Sequence, residues 1–186
     1  YGSVLVHECG HAIAAEKNNV AVNGITLWVL GGVAKIELKN ITSRKELEIA
    51  VAGPIVSVVI GVTASTLTII TAVASGPELL TLYVLLVAIL NGSIAVFNLL
   101  PVFPLDGGRI LRASLKQKYD HVTATKYAVK VTQGSVVVLF IYGVTSIEPF
   151  VLLLSVFVYQ QSKKELRQTV ENNRYDKHKK AVTSIL

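Results

Sequence analysis

Ile49-Ala-Val-Ala-Gly-Pro-Ile-Val-Ser-Val-Val-Ile-Gly-Val-Thr-Ala-Ser-Thr-Leu-Thr-Ile-Ile-Thr-Ala-Val-Ala-Ser-Gly-Pro77 runs for 29 residues without a formal charge. Roughly 20 apolar residues in a helix already cross a hydrocarbon core, so this stretch does not belong on the surface of a soluble domain. A second neutral run, Leu79 to Leu105, has 27 residues. From Val131 to Ser162 only Glu148 is charged, and Gly143, Ser146 and Pro149 near the middle of those 32 residues read as the turn of a helical hairpin. The last span is short unless Lys163 and Lys164 snorkel at its end, and Lys126 and Lys130 join the span before it by the same device. With 52% hydrophobic residues and a mean hydropathy of +0.55, the chain reads as an α-helical polytopic protein of the lipid bilayer. About five spans are expected, the first of them partial.

The basic residues set the expected orientation. Of 18 Lys and Arg, five lie between Lys17 and Lys45, six between Arg109 and Lys130, and seven between Lys163 and Lys180. The turns at Ser75-Gly76-Pro77-Glu78 and Ser146-Ile147-Glu148-Pro149 carry none. Alternate loops are thus basic and non-basic, which the positive-inside rule reads as cytoplasmic and external. This accounts for the net charge of +6; the apolar content and the lack of interleaved aromatics argue against a nucleic-acid partner. On this orientation the first helix ends on the cytoplasmic side near Lys17, yet only 16 residues precede that lysine, too few for a span. Tyr1 therefore reads as the middle of a helix, with upstream residues including another span expected before it. Residues 1–166 are expected to form a membrane-embedded core, and 167–186 a polar, basic cytoplasmic tail.

Inside that partial first helix lies His7-Glu8-Cys9-Gly10-His11. Two histidines four apart share one helical face, so both imidazoles can grip one Zn²⁺, and the glutamate beside the first is placed to act as general base. The plain alternative is an interfacial helix that happens to carry two histidines. One large class of soluble zinc peptidases has a third His six residues after the second, with an accompanying Gly. Those positions are Lys17 and Ala14 here, so the third ligand must come from elsewhere. Cys9, roughly 200° round the helix from His7, faces away from the pair. As the one cysteine it excludes an internal disulfide.

A second constellation is Asn98-Leu-Leu-Pro-Val-Phe-Pro-Leu-Asp-Gly-Gly-Arg109. No helix runs smoothly through Pro101 and Pro104, so backbone polar groups open at membrane depth. That is tolerated only where the backbone is buried in protein or lines a wet cavity. Asp106 sits beside an apolar run, where ionisable groups are costly and functional by default; the bland reading is a cap on the helix beginning at Gly107. A two-His site that lacks a ligand moves the balance to Asp106. One zinc per chain is expected, and Glu37, Glu46 and Glu48 are the fallback ligands.

Together, His7-Glu-Cys-Gly-His11 in an apolar helix, Gly31-Gly32-Val33, Ala52-Gly53-Pro54 and the Asn98–Arg109 segment resemble the site-2 protease family of intramembrane zinc metalloproteases, most of all its compact archaeal and bacterial members. The likeness runs from about Val4 to Leu166. It implies that His7, His11 and Asp106 are zinc ligands, that Glu8 is the catalytic base, and that Asn98 contacts substrate or the developing oxyanion. Asn91 also fits the family pattern, although an interhelical hydrogen bond explains it equally well. The resemblance further implies a prokaryotic cell membrane and a site toward its cytoplasmic side. The client it implies is a single-span membrane protein, often cut first by a site-1-type protease. Two departures from the family pattern are expected: its first span does not lie within these residues, and they include no regulatory domain after the tail.

Val20 to Leu38 is not a span. It is rich in β-branched residues, Ile36-Glu-Leu-Lys alternates, and Asn23-Gly24 and Gly31-Gly32 supply turns. Two or three short strands are expected, forming a small sheet at the cytoplasmic membrane boundary. A protease must hold its substrate extended, and an exposed edge strand supplies main-chain hydrogen bonds to an unwound helix; Gly31, Gly32, Val33 and Ile36 are the candidates for that pairing. A membrane metal transporter or sensor is the rival function, since His and Asp in helices also build ion pathways. The single motif offers no relay of sites along the spans, and His121 and His178 lie in basic polar segments. A catalytically dead scaffold would have no need of Glu8.

Overall fold

A computed structural model of the chain describes residues 1–28, 31–36 and 41–183. The chain forms two compact units, Tyr1–Leu100 and Pro101–Leu186.

The first unit opens with α1 (Gly2–Lys17). Lys17 in its last turn suits the negative end of the helix dipole, and the Asn18 side chain donates to the Ala14 carbonyl at 3.0 Å. Asn19, at φ 57°, turns the chain out of the helix. Two strands follow, β1 (Val22–Trp28) and β2 (Gly31–Ile36), antiparallel with Val22 opposite Ile36 and Trp28 opposite Gly31. The expected turn at Asn23-Gly24 is instead a register shift within β1, where Gly24 takes φ +121°, a conformation that a side chain resists. Gly31 and Gly32 lie in β2 rather than in a turn. Glu37, Leu38 and Lys39, whose alternation suggested strand, lie outside the described residues. A two-stranded ribbon is marginal alone; Val22 and Ile36 anchor this one on Ala15, Val20 and Ile49.

The long helix α2 (Ser43–Val73) begins behind Thr42, whose hydroxyl accepts from the Lys45 amide. It starts six residues ahead of the neutral run because Arg44, Lys45, Glu46 and Glu48 occupy its first turns. A short turn with Ser75 at φ 52° leads to α3 (Glu78–Leu99). The two helices meet over small residues: a side chain at Gly61 would touch the Gly92 amide at 3.4 Å, and Ala64, Val84 and Ala88 form the packed seam. Hydroxyls on α2 are satisfied by their own helix, with Ser65, Thr66, Thr68 and Thr71 each donating to the carbonyl four residues back.

In the second unit, residues 101–105 hold both prolines ahead of α4 (Asp106–Leu115). Then come α5 (His121–Thr145), capped by the Asp120 carboxylate, and α6 (Pro149–Thr183). The α5–α6 turn is close enough that a Cβ on Gly143 would meet Leu152 Cδ2 at 2.9 Å. α6 continues without a break through Leu166 to Thr183.

Among the described residues three helices, α2, α3 and α5, are long and apolar enough to cross a membrane, against about five expected. The difference is one of length. With 16 residues α1 is about 24 Å long, and only 14 residues of α6 precede Lys163. The outward faces of the three spans are apolar and open, as at Val62 (61% exposed), Ile69 (64%) and Leu79 (82%). Surfaces so continuously apolar need lipid against them, and the chain is an integral membrane protein.

Candidate metal centre

The helical period puts His7 and His11 on one face of α1, and both are buried at 3% exposure. Their rings meet edge to face, 4.9 Å between centroids, with the two Nε2 atoms 3.3 Å apart. The other ring nitrogens are held by α2. His11 Nδ1 lies 2.8 Å from the Ile49 carbonyl; a carbonyl only accepts, so Nδ1 carries the proton and Nε2 presents its lone pair. His7 Nδ1 lies 2.9 Å from Ser57 Oγ, a hydroxyl that can accept in the same way. Two zinc–nitrogen bonds of 2.0–2.1 Å at a tetrahedral angle span about 3.3–3.4 Å. The spacing of the imidazoles therefore fits a shared metal ion.

Asp106 is the first residue of α4 and is buried at 6% exposure. Its neighbour Leu105 occupies the cap position, so Asp106 stands in the first turn of the helix, one residue inside the cap position that the bland reading gave it. The loop before it is tied down. The Phe103 amide donates to Thr132 Oγ1 at 3.0 Å, and the Arg112 guanidinium lies over the Phe103 ring, 5.4 Å from its centroid. A Cβ on Gly108 would meet the Phe103 nitrogen at 2.8 Å, so only glycine lets α4 start this close to the loop. Arg112, 3% exposed, is paired with Glu165 of α6.

His7 and His11 belong to the first unit and Asp106 to the second, and all three are buried. Of the fallback ligands, Glu46 is buried and Glu48 is bound by Arg44 and Asn18. Glu37 lies outside the described residues. Glu8 is half-buried on α1, as is Cys9. Asn98 Nδ2 donates to the Ile94 carbonyl at 3.0 Å. Asn91, fully buried, joins helices: its Nδ2 donates to Ser3 Oγ on α1 at 3.0 Å and to the Val87 carbonyl at 2.8 Å. Ile36 turns its side chain into the packed base of the ribbon, while Gly31, Gly32 and Val33 pair through the backbone with Trp28, Leu27 and Thr26.

Three participants escaped the sequence reading: Ser57, the Ile49 carbonyl and Gly53. Gly53 carried a signal as part of Ala52-Gly53-Pro54, although its partner was not evident. A serine and a carbonyl in an apolar helix carry none.

Residues 1–78 and 69–142 match peptidase family M50. A zinc metalloprotease of Methanocaldococcus jannaschii is 37% identical over 170 residues, covering 89% of this chain and 47% of its own length. Rip3 of Mycobacterium tuberculosis is 37% identical over 123 residues, 66% of this chain and 31% of its own. Among solved structures, the site-2 protease from Methanocaldococcus jannaschii matches with a TM-score of 0.65 at 36% identity, covering 88% of this chain and 74% of that one. The chain spans about half the length, or less, of the curated relatives it matches. The family match extends over both the paired histidines and the Asp106 loop, and the chain belongs to peptidase family M50, the site-2 proteases.

Proposed function

We propose that the chain is the core of an intramembrane zinc endopeptidase that hydrolyses a peptide bond in or near a transmembrane helix of a single-span client. The observation that carries this reading is the pair of buried imidazoles with Nε2 atoms 3.3 Å apart and a glutamate directly after the first. His7 and His11 would hold zinc through Nε2, and Asp106 through its carboxylate. When bound, zinc supplies Lewis acidity and makes a nucleophile available at neutral pH. Glu8 takes a proton from the hydrolytic water and returns it to the leaving amine. Asn98 keeps one amide N–H on Ile94; its second N–H is the proposed donor to the oxyanion, a contribution typically near 3 kcal/mol.

The basic loops support a cytoplasmic site in a prokaryotic cell membrane, with the β1–β2 ribbon at the cytoplasmic boundary and a site-1-type protease acting earlier on the same client. A client strand would pair with a free edge of the ribbon through main-chain bonds. Val33→Pro should then slow cleavage and leave zinc in place. Cysteines at Gly76 and Lys118 should label from opposite sides of the membrane, and same-side labelling would sink the orientation.

The reading is tested by Glu8→Gln and Asp106→Ala in the purified full chain. The first should keep its zinc and lose cleavage of a transmembrane substrate; the second should lose zinc. Cleavage surviving Glu8→Gln would remove Glu8 as the base, and a zinc-loaded wild type that cuts no transmembrane substrate would remove the protease reading and favour a transporter or sensor. Among the described residues no further group of metal-binding side chains accompanies the proposed ligands, which weighs against those, since a pathway needs successive sites.

A further inference from the structure

Ile49, Gly53 and Ser57 are spaced by four along α2, so they share one face of that helix. Each touches an imidazole of α1. The Ile49 carbonyl is 2.8 Å from His11 Nδ1, and Ser57 Oγ is 2.9 Å from His7 Nδ1. Between them, a Cβ placed on Gly53 would lie 2.2 Å from His11 Nε2 and 2.6 Å from its Cε1. We propose that this stripe is the outer shell of the metal site: Ser57 is the positioning residue for His7, and the Ile49 carbonyl with the bare face of Gly53 positions His11. The proposal rests on the two histidines being ligands.

The physical argument concerns protons and space. An imidazole binds a metal through a lone pair, so its other nitrogen must carry the proton, and the acceptor facing that nitrogen fixes both tautomer and ring orientation. Ser57 is fully buried, so no water stands ready to replace its hydroxyl. His11 has the firmer partner, since a backbone carbonyl cannot rotate away, and the price of that grip is room. The ring reaches Ile49 only by lying across α2, which requires position 53 to have no side chain. Close approach of the two helices is built in from the other side as well: a Cβ on Gly10 would meet the Ala52 carbonyl oxygen at 3.0 Å and Val56 Cγ2 at 2.9 Å.

The test uses the full chain in detergent, comparing wild type with Ser57→Ala, Gly53→Ala and His7→Ala. Zinc affinity is read by competition with a chromophoric chelator, and ligand geometry from the visible spectrum of the cobalt(II)-substituted protein. Ser57→Ala should weaken zinc about 10- to 100-fold, the usual effect of losing an outer-shell partner, and should alter the cobalt bands. Gly53→Ala should weaken zinc at least as much while helix content holds, because alanine is the better helix former and only the ring is evicted. A variant that binds zinc like the wild type removes its residue from the stripe. Weaker zinc with an unchanged cobalt spectrum and lost thermal stability would make the role merely structural and overturn the proposal. His7→Ala separates the two levels: if it binds zinc normally, the ligand reading itself has failed.

Discussion

Thr132→Val removes one oxygen from the second unit and conserves its shape. The Thr132 hydroxyl accepts from the Phe103 amide at 3.0 Å and donates to the Ala128 carbonyl at 3.0 Å. Ala128 keeps its helical partner, the amide of residue 132, so the second loss matters little. Phe103 has no such reserve. Both residues are almost wholly buried, at 1% and 0% exposure, and valine leaves the Phe103 N–H facing carbon. An orphaned buried donor costs about 1–3 kcal/mol, equivalent to a roughly 5- to 150-fold rise in the population of an opened loop. Hydrogen exchange of peptides covering residues 100–106, followed by mass spectrometry in detergent, reads that population directly. Protection at Phe103 should fall by a factor in this range, while α5 stays protected, because the Arg112 guanidinium still covers the ring. Unchanged exchange at Phe103, or a loss spread evenly along α5, would refute the idea that this bond anchors the loop leading to Asp106.

Glu165→Ala removes an acceptor from a buried guanidinium. Bonds to charged groups contribute about 1.5–3 kcal/mol, so the thermal midpoint in detergent should fall clearly, and Glu171→Ala on an exposed face of the same helix should not lower it. Asn91 Oδ1 is buried without a partner, and interhelical bonds in membranes average only about 0.6 kcal/mol. Asn91→Leu should therefore be near neutral in thermal stability; a large loss would give the amide a role beyond joining α1 to α3. Asp120 is held below the usual carboxylate range by the Thr123 side chain first and by backbone N–H groups after it. A depressed folded-state value means that its support for α5 is complete above the ordinary value of about 4 and is lost as pH falls through the lower one. Circular dichroism should show Asp120→Asn differing least from wild type in acid and most near neutrality.

How much was legible depended on distance along the chain. His7 and His11 are four residues apart, so the helical period alone brought them together. The break at Pro101 and Pro104 was equally local, and α3 ends at Leu99 as their chemistry requires. Asp106 was found by its cost, a carboxylate beside an apolar run, with the family pattern in support. The outer partners were not legible, since Ser57 lies 50 positions from His7 and serines are common in membrane helices, where their own backbone satisfies them. Six such hydroxyls along the apolar part of α2 would have looked alike; only the packing of α1 singles out one. Span counting erred at the ends because charge gaps measure where charges stop, not where helices do. α2 carries its charged residues inside its first turns, and the apolar part of α6 is shorter than a bilayer is thick.

α6 is a single beam of 35 residues, about 52 Å long, of which the larger part is polar. Bending it means breaking the bonds between successive turns, so a load applied at one end travels along it rather than being absorbed. Thr169, beyond the continuous apolar run that ends at Tyr159, is still buried at 5% exposure, so the beam is seated on its own unit beyond the hydrophobic stretch. Besides its packing along α5, it is held through Glu165 to Arg112, and Arg112 lies over Phe103, three residues from Asp106. Leverage on the basic end is therefore delivered next to the carboxylate, and the stiffness of one helix ties the polar extension to the loop that carries it.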